Sequence, residues 1–163
     1  MDYFIRPAII DDYTALDIIY SQVEHLHRAA LPQIFRAPDG PTLNRDYFEA
    51  ILADEQAAWL VAEKESELLG FVTVRVVQAP ERPILLPRVY AQVDNLAVRV
   101  QYRRLGIGQA LLQRAERWAA ERHLSEIELN VWEFNQAAVA FYEKLGYATQ
   151  RRTMWRTISH ANS

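Results

Sequence analysis

Cysteine is absent from this chain. That excludes a disulfide framework, a thiolate metal site and a cysteine nucleophile together. Long apolar runs are missing too, since no stretch approaches the roughly 20 residues a membrane-spanning helix needs. Neither sign of charge dominates: 18 Lys and Arg face 21 Asp and Glu, for a net charge of −3. Sequence-independent phosphate binding draws on basic residues gathered on one face, so nucleic acid is not an expected partner. The opening Met1-Asp2-Tyr3-Phe4-Ile5-Arg6 is too short and acidic to read as a secretory signal, and a cytoplasmic location is expected. Glycine occurs only 5 times, which makes the pair in Gly106-Ile107-Gly108 conspicuous. What remains is ordinary: 50% hydrophobic and 24% charged residues over 163 positions, the balance of a globular protein of one domain.

The hydrophobic pattern predicts a strand over residues 3–8 and then a helix capped by Asp11 or Asp12, with Tyr13, Leu16, Tyr20 and Val23 on its apolar face. A turn-rich stretch, 31–42, holds Pro32, Pro38, Gly40 and Pro41. Asn44 is placed to cap a second helix to about residue 54, burying Tyr47, Phe48, Ile51 and Leu52. Residues 58–63 and 69–77 form a hairpin about Glu65-Ser66-Glu67. Pro80, Pro83 and Pro87 mark a connection that cannot lie inside a sheet. A strand over 88–98, a helix over 106–122 and a strand over 126–132, alternating Ile127, Leu129 and Val131 with polar residues, come next. A short helix over 136–145 ends at Gly146, and a last strand covers 147–158. No repeat or linker interrupts this order, so a single mixed α/β domain over 1–163, its last few residues a flexible tail, is the expectation.

Glycines between a strand and an amphipathic helix suit an anion. They admit close backbone approach, the first-turn N–H groups lack intrahelical partners, and the helix dipole favours negative charge there. Arg103 and Arg104 add charge-assisted donors. Taken alone, Gly-x-Gly fits a tight turn that binds nothing equally well. A P-loop would need Lys-Ser/Thr where Gln109-Ala110 stands, and a dinucleotide fingerprint a third glycine where Leu111 stands.

Arg103-Arg104-Leu105-Gly106-Ile107-Gly108 resembles the Gln/Arg-x-x-Gly-x-Gly/Ala signature of the GNAT N-acetyltransferases. The run from Asn135 through Phe141-Tyr142 to Gly146-Tyr147 is similar to that family's C-terminal motif. The resemblance is sharp over residues 90–147 and topological before that. It implies a GNAT fold: a mixed, mostly antiparallel sheet of about six or seven strands flanked by about four helices. Its fourth and fifth strands would be parallel and splayed to admit acetyl-CoA. The resemblance assigns the pantetheine to backbone groups of Leu96, Ala97 and Val98. It assigns the pyrophosphate to amides across Arg103, Arg104, Leu105, Gly106, Ile107, Gly108 and Gln109, with a further contact from Asn135. It also makes Tyr142 the general acid for the departing thiolate. The chemistry is coherent, because a tyrosine titrating near 10 is still protonated at a pH where a thiol of about 8.5 leaves. Packing of the helix is the other reading of Tyr142, although Phe141 and Leu145 already supply an apolar face.

The implied reaction is direct acetyl transfer to a primary amine, with no metal and no covalent enzyme intermediate. A non-catalytic acyl-CoA-binding or sensor module on the same fold is the alternative. The base is not given by the motifs. Asp94 lies two residues before Leu96, so alternation puts both on one strand face; a plain surface carboxylate is the other reading. Glu24 and His27 share a helical face, with His25 beside them, and a histidine there suits a base or merely the C-terminal dipole. Trp132, Glu133 and Phe134 are expected to wall the acceptor or to pack the core. The acceptor is a small-molecule or peptide amine of unread identity, the acyl group acetyl or longer. A homodimer through the Pro80 to Pro87 arm completes the expectations.

Overall fold

The computed structural model describes residues 2–158. They form two compact units, Met1–Asn130 and Val131–Ser163. The expected flexible tail lies in residues 159–163, outside those described.

The first unit is built on a sheet of five strands in chain order. These are β1 (Phe4–Pro7), β2 (Ala57–Lys64), β3 (Glu67–Gln78), β4 (Val89–Val98) and β5 (Ile127–Leu129). Three antiparallel pairings run from β1 to β4, and β4 pairs β5 in parallel, as the resemblance implied. Helices α1 (Tyr13–Ala30) and α2 (Arg45–Ala53) lie between β1 and β2, and α3 (Ile107–Ala120) joins β4 to β5. Asn44 caps α2 as expected, its side chain accepting from Tyr47 N–H at 2.8 Å. Asp12 stands at the N-cap of α1 but makes no side-chain cap. Its carboxylate instead takes two hydrogen bonds from Arg6, at 2.7 and 2.9 Å, and one from Ile9 N–H at 2.8 Å. The stronger, charged donor wins the oxygens from the helix amides.

Alternation gives each strand two faces. One buries Trp59, Val61, Phe71 and Ala97 with Leu16 and Ile19 of α1 and Phe48 of α2. Trp59 anchors it, with the rings of Phe48 and Phe71 each 5.1 Å away; truncating such a side chain costs about 3–5 kcal/mol. Ile107, Leu111, Leu112, Ala115, Trp118 and Ala119 bury the opposite stripe of α3. At Gly70, opposite Val98, a Cβ would lie 2.5 Å from the carbonyl oxygen of Ala97. Only glycine lets β3 and β4 approach this closely.

The second unit contains α4 (Gln136–Lys144). Asn135 caps it, accepting from Ala138 N–H at 3.2 Å, and Gly146 follows at φ 92°, the left-handed residue expected beyond a helix end.

Two strand expectations are corrected. The fifth strand is 127–129, not 126–132, and its parallel pairing with β4 ends at Val93 and Leu129. The last strand, 147–158, does not form: no strand occurs there among the described residues. Met154, Trp155 and Ile158 are 87, 67 and 74% exposed. Strand-forming residues make a strand only where a partner offers hydrogen bonds and a surface to cover. The sheet therefore has five strands rather than six or seven; the four helices and the parallel β4–β5 pair stand as expected.

Candidate functional site

The site begins with a flaw in β4. Thr73 pairs Asn95 but Val74 pairs Val93, so Asp94 is an extra residue in β4. A bulge of this kind bends its strand and strengthens the local twist. The parallel pairing to β5 covers Ala91, Gln92 and Val93 and stops there. Beyond the bulge, β4 keeps β3 on one side while the other edge, through Leu96, Ala97 and Val98, has no partner strand among the described residues. Backbone N–H and C=O groups on such an edge are open to an extended ligand.

The chain then leaves β4 through a short turn at Val100–Tyr102. Arg103 does not face outward as a free cation: its Nε donates to Val98 O at 3.1 Å, tying the turn back to the strand. Arg104 has φ 61° and Gly106 φ 82°. Gly106 is the N-cap of α3, no side chain caps that helix, and a Cβ at Gly106 would meet nothing within 4 Å. Its glycine is thus required by backbone conformation. The first-turn amides of Ile107, Gly108 and Gln109 have no intrahelical acceptor, which makes this end an anion cradle. Ile107 is itself 1% exposed and belongs to the buried stripe of α3. Leu105 is half exposed and Gln109 exposed.

The predicted bases are each already paired. Asp94 Oδ2 accepts from Arg75 Nε at 2.7 Å. Alternation with Leu96 does not hold, because the bulge lies between them; Asp94 instead turns to the face bearing Arg75. Glu24 and His27 meet as the helical spacing implied, at 3.4 Å, and the His27 ring stacks on Phe35 at 5.1 Å. That contact places part of the 31–42 stretch on the end of α1. His25 lies 3.3 Å from an Arg28 nitrogen, on an exposed surface.

Two residues read from sequence only as apolar packing join this group. Tyr20 stacks on Phe71 with ring centres 6.1 Å apart. Burial first, then the charges of Glu24, Tyr47 and Asp94, push its phenol up to about 12. Tyr47 is raised as well, chiefly by burial and next by Asp94, and its hydroxyl stands beside Thr73. The Thr73 hydroxyl accepts from Asn95 Nδ2 at 3.2 Å. Tyr20, Glu24, Tyr47 and Asp94 therefore share one electrostatic neighbourhood of phenols and carboxylates on the α1–α2 face. A phenol at i, i+4 from a carboxylate, Tyr20 to Glu24, was the signal available in the sequence.

In the second unit Tyr142 is half-buried between the rings of Phe141, at 5.2 Å, and Tyr147, at 5.9 Å. Burial pushes its phenol up to about 12. The Asn135 side-chain oxygen is engaged in its cap, leaving the amide NH2 as its donor. Trp132 is 42% exposed, and Glu133 lies 3.5 Å from Arg152. No group of three or more metal-binding side chains occurs among the described residues, and no described helix is long and apolar enough to cross a membrane.

A sheet whose parallel pair parts at a bulge, followed by an uncapped helix N-terminus on a left-handed glycine, defines a class of α/β proteins. Such an edge and helix start suit an extended, phosphate-bearing ligand. The family model for the acetyltransferase (GNAT) family matches residues 20–147, and the chain belongs to that family. It is an acyltransferase of the N-acetyltransferase type. An N-alpha-acetyltransferase of Sulfurisphaera tokodaii is 32% identical over 151 residues, 90% of this chain and 80% of that protein. N-acetyltransferase family 8 member 3 of Mus musculus is 28% identical over 70% of this chain, which spans only 49% of the mouse protein. A crystal structure of a mutant BH1408 protein of Bacillus halodurans superposes with a TM-score of 0.91 at 30% identity, covering 96% of this chain and 99% of that one.

Proposed function

We propose that this protein transfers an acetyl group from acetyl-CoA directly to a primary amine, and that residues 1–163 act as one domain in doing so. The family model supports the single domain, since it runs across both units. The observation that carries the donor reading is the continuous path from the unpaired edge of β4 to the uncapped start of α3. The residues fit the donor: a strand edge of free backbone groups suits the amides of pantetheine, and the α3 amides suit a pyrophosphate.

When bound, the thioester supplies an acyl carbon open to attack and a thiolate leaving group. Backbone groups of Leu96, Ala97 and Val98 orient the donor and polarise its carbonyl, with Arg103 occupying one side of the Val98 oxygen. Amides from Arg103 to Gln109 hold the diphosphate, and Asn135 contributes its amide NH2. Tyr142 gives its phenolic proton to the departing sulfur. A phenol at about 12 is a weak acid, but the same burial that disfavours phenolate disfavours thiolate. A neutral donor in a dry site is therefore a fitting partner for the thiolate.

The acceptor binds as an ammonium and loses a proton before attack. The shared field of Tyr20, Glu24, Tyr47 and Asp94 favours such a cation. Glu24, beside His27, is the base this reading favours, since the Asp94 carboxylate is engaged by Arg75. The acceptor this reading favours is an α-amino group, such as a peptide N-terminus, in keeping with the name N-alpha-acetyltransferase of the Sulfurisphaera relative. A cytoplasmic location, suggested by the cysteine-free composition, belongs to the same proposal. So does a homodimer through the proline arm, whose Ile84 and Leu86 are 90 and 85% exposed. The sensor alternative leaves Tyr142 without a task and stands against the activity named for the relatives.

Thiol release from acetyl-CoA, measured with peptide N-termini, free lysine, polyamines and aminoglycosides as acceptors, tests the proposal. Turnover with the peptide that drops by about 10²-fold or more in Tyr142→Phe is the expected result. Binding of CoA with no thiol release across the panel favours the sensor, and full turnover by Tyr142→Phe removes the general-acid role.

A further inference from the structure

The cradle at α3 is only as well placed as the turn that carries it, and that turn is held from an unexpected side. Glu65 and Ser66 have φ 50° and 69°, the paired left-handed conformation of a two-residue hairpin turn. This turn delivers Glu67, the first residue of β3, to the underside of the segment after β4. The Glu67 carboxylate is divided between two donors. Oε1 accepts from Arg99 Nη1 at 2.6 Å, and Oε2 accepts from Tyr102 Oη at 2.7 Å. Arg99 and Tyr102 bracket the turn at Val100–Tyr102, and the cradle begins at the next residue.

Other ties make the arrangement a closed clamp. Arg99 N–H donates to Leu69 O at 2.9 Å, and Tyr102 N–H to Arg99 O at 2.9 Å. Gln22 of α1 accepts from Val100 N–H at 3.3 Å. The Arg99 side chain is 15% exposed and its Nε is buried without a partner. Glu67 is thus the counter-charge for a largely buried guanidinium, and its loss would free the turn at both ends.

We propose that Glu67 is a positioning residue for the donor site: acting through Arg99 and Tyr102, it fixes the turn that presents the amides of residues 103–109 to the CoA diphosphate. This rests on the donor reading above. Glu67 spends its two carboxylate oxygens on Arg99 and Tyr102, so its effect should fall on donor binding. Placement of a helix end within a fraction of an ångström decides whether several N–H groups can serve one anion together.

The test is CoA binding by calorimetry, with steady-state kinetics on the full chain, for wild type, Glu67→Ala, Glu67→Gln and Tyr102→Phe. Glu67→Ala is expected to raise the Kd for CoA and the KM for acetyl-CoA about 10-fold. Saturating kcat and acceptor KM should stay within twofold of wild type. Glu67→Gln, which keeps an oxygen for Arg99, should recover most of that loss. Tyr102→Phe removes one tie without stranding the buried cation, so it stays interpretable if Glu67→Ala does not fold; it is expected to weaken CoA about 3-fold. A folded Glu67→Ala or Tyr102→Phe protein that binds CoA as wild type does, or variants whose losses fall on kcat instead, overturn the positioning role. Wild-type protein that binds no CoA overturns the donor reading itself.

Discussion

Replacing Gly70 by alanine should damage the donor site from the opposite strand. The new Cβ would sit 2.5 Å from Ala97 O and 3.1 Å from Val98 Cα. Both atoms are backbone, so no rotamer change relieves the contact. The end of β4 must move by several tenths of an ångström, or the β3–β4 pairing must loosen. Overpacking of this kind costs about 1–3 kcal/mol. For a chain of this length that corresponds to a fall of roughly 2–12 °C in Tm. The displacement falls where Val98 O anchors Arg103, so the turn and cradle move with it, and CoA affinity should fall about 10-fold, or 1.4 kcal/mol. Differential scanning calorimetry with and without CoA reads both effects. A Gly70→Ala protein with wild-type Tm and wild-type CoA affinity would refute the claim that close strand approach shapes this site.

Three further outcomes follow from the same geometry. Tyr142 at about 12 stays protonated throughout the working range, so the kcat profile should show no alkaline fall from this group between pH 7 and 10; a descending limb in Tyr142 wild type that vanishes in Tyr142→Phe would contradict it. Tyr20 and Tyr142 are both raised above the ordinary phenol value of about 10. Their contribution to stability is complete below about pH 10 and is lost as pH rises from there toward 12, which Tm against pH in Tyr20→Phe and wild type will show as a shallower alkaline decline in the variant. Burial alone would raise the Asp12 carboxyl, but the Arg6 hydrogen bonds, the Ile9 amide and the Arg6 charge outweigh it and lower the value. Asp12 therefore stabilises above its unfolded value near 4 and loses this contribution as pH falls. Asp12→Asn should cost about 1–3 kcal/mol at neutral pH and less in acid, read by urea denaturation at pH 7 and pH 3; equal losses at both would refute it.

Much of the local geometry around the proposed donor site was legible because it rests on backbone chemistry. Gly106 and Gly146 announce left-handed residues at helix ends, and Asn44 announces a cap; each needs only its neighbours to be recognised. The bulge at Asp94 is not of this kind. It arises from how β4 registers on β3, and nothing in Val93-Asp94-Asn95 marks one residue as extra. It reversed the face expected for Asp94, while Val131 alternates correctly but pairs with no strand among the described residues. The same dependence on a partner explains residues 147–158, whose composition suits a strand that has nothing to pair with among the described residues. The acceptor side was least visible. Tyr20 and Tyr47 satisfy an apolar helical pattern through their rings, while the charge of Asp94 acts on their hydroxyls only after α1 and α2 fold onto the sheet. Glu67 read as a turn residue, and its role depends on Arg99 and Tyr102, more than thirty positions away.

The central claim is that the edge of β4 and the start of α3 hold the acyl donor. A crystal structure of the protein with CoA tests it most directly. Pyrophosphate oxygens are expected within about 3.2 Å of amide nitrogens among Ile107, Gly108 and Gln109, with a pantetheine arm hydrogen-bonded along Leu96 to Val98. CoA found away from α3, or a diphosphate held by side chains with those amides unengaged, would contradict it.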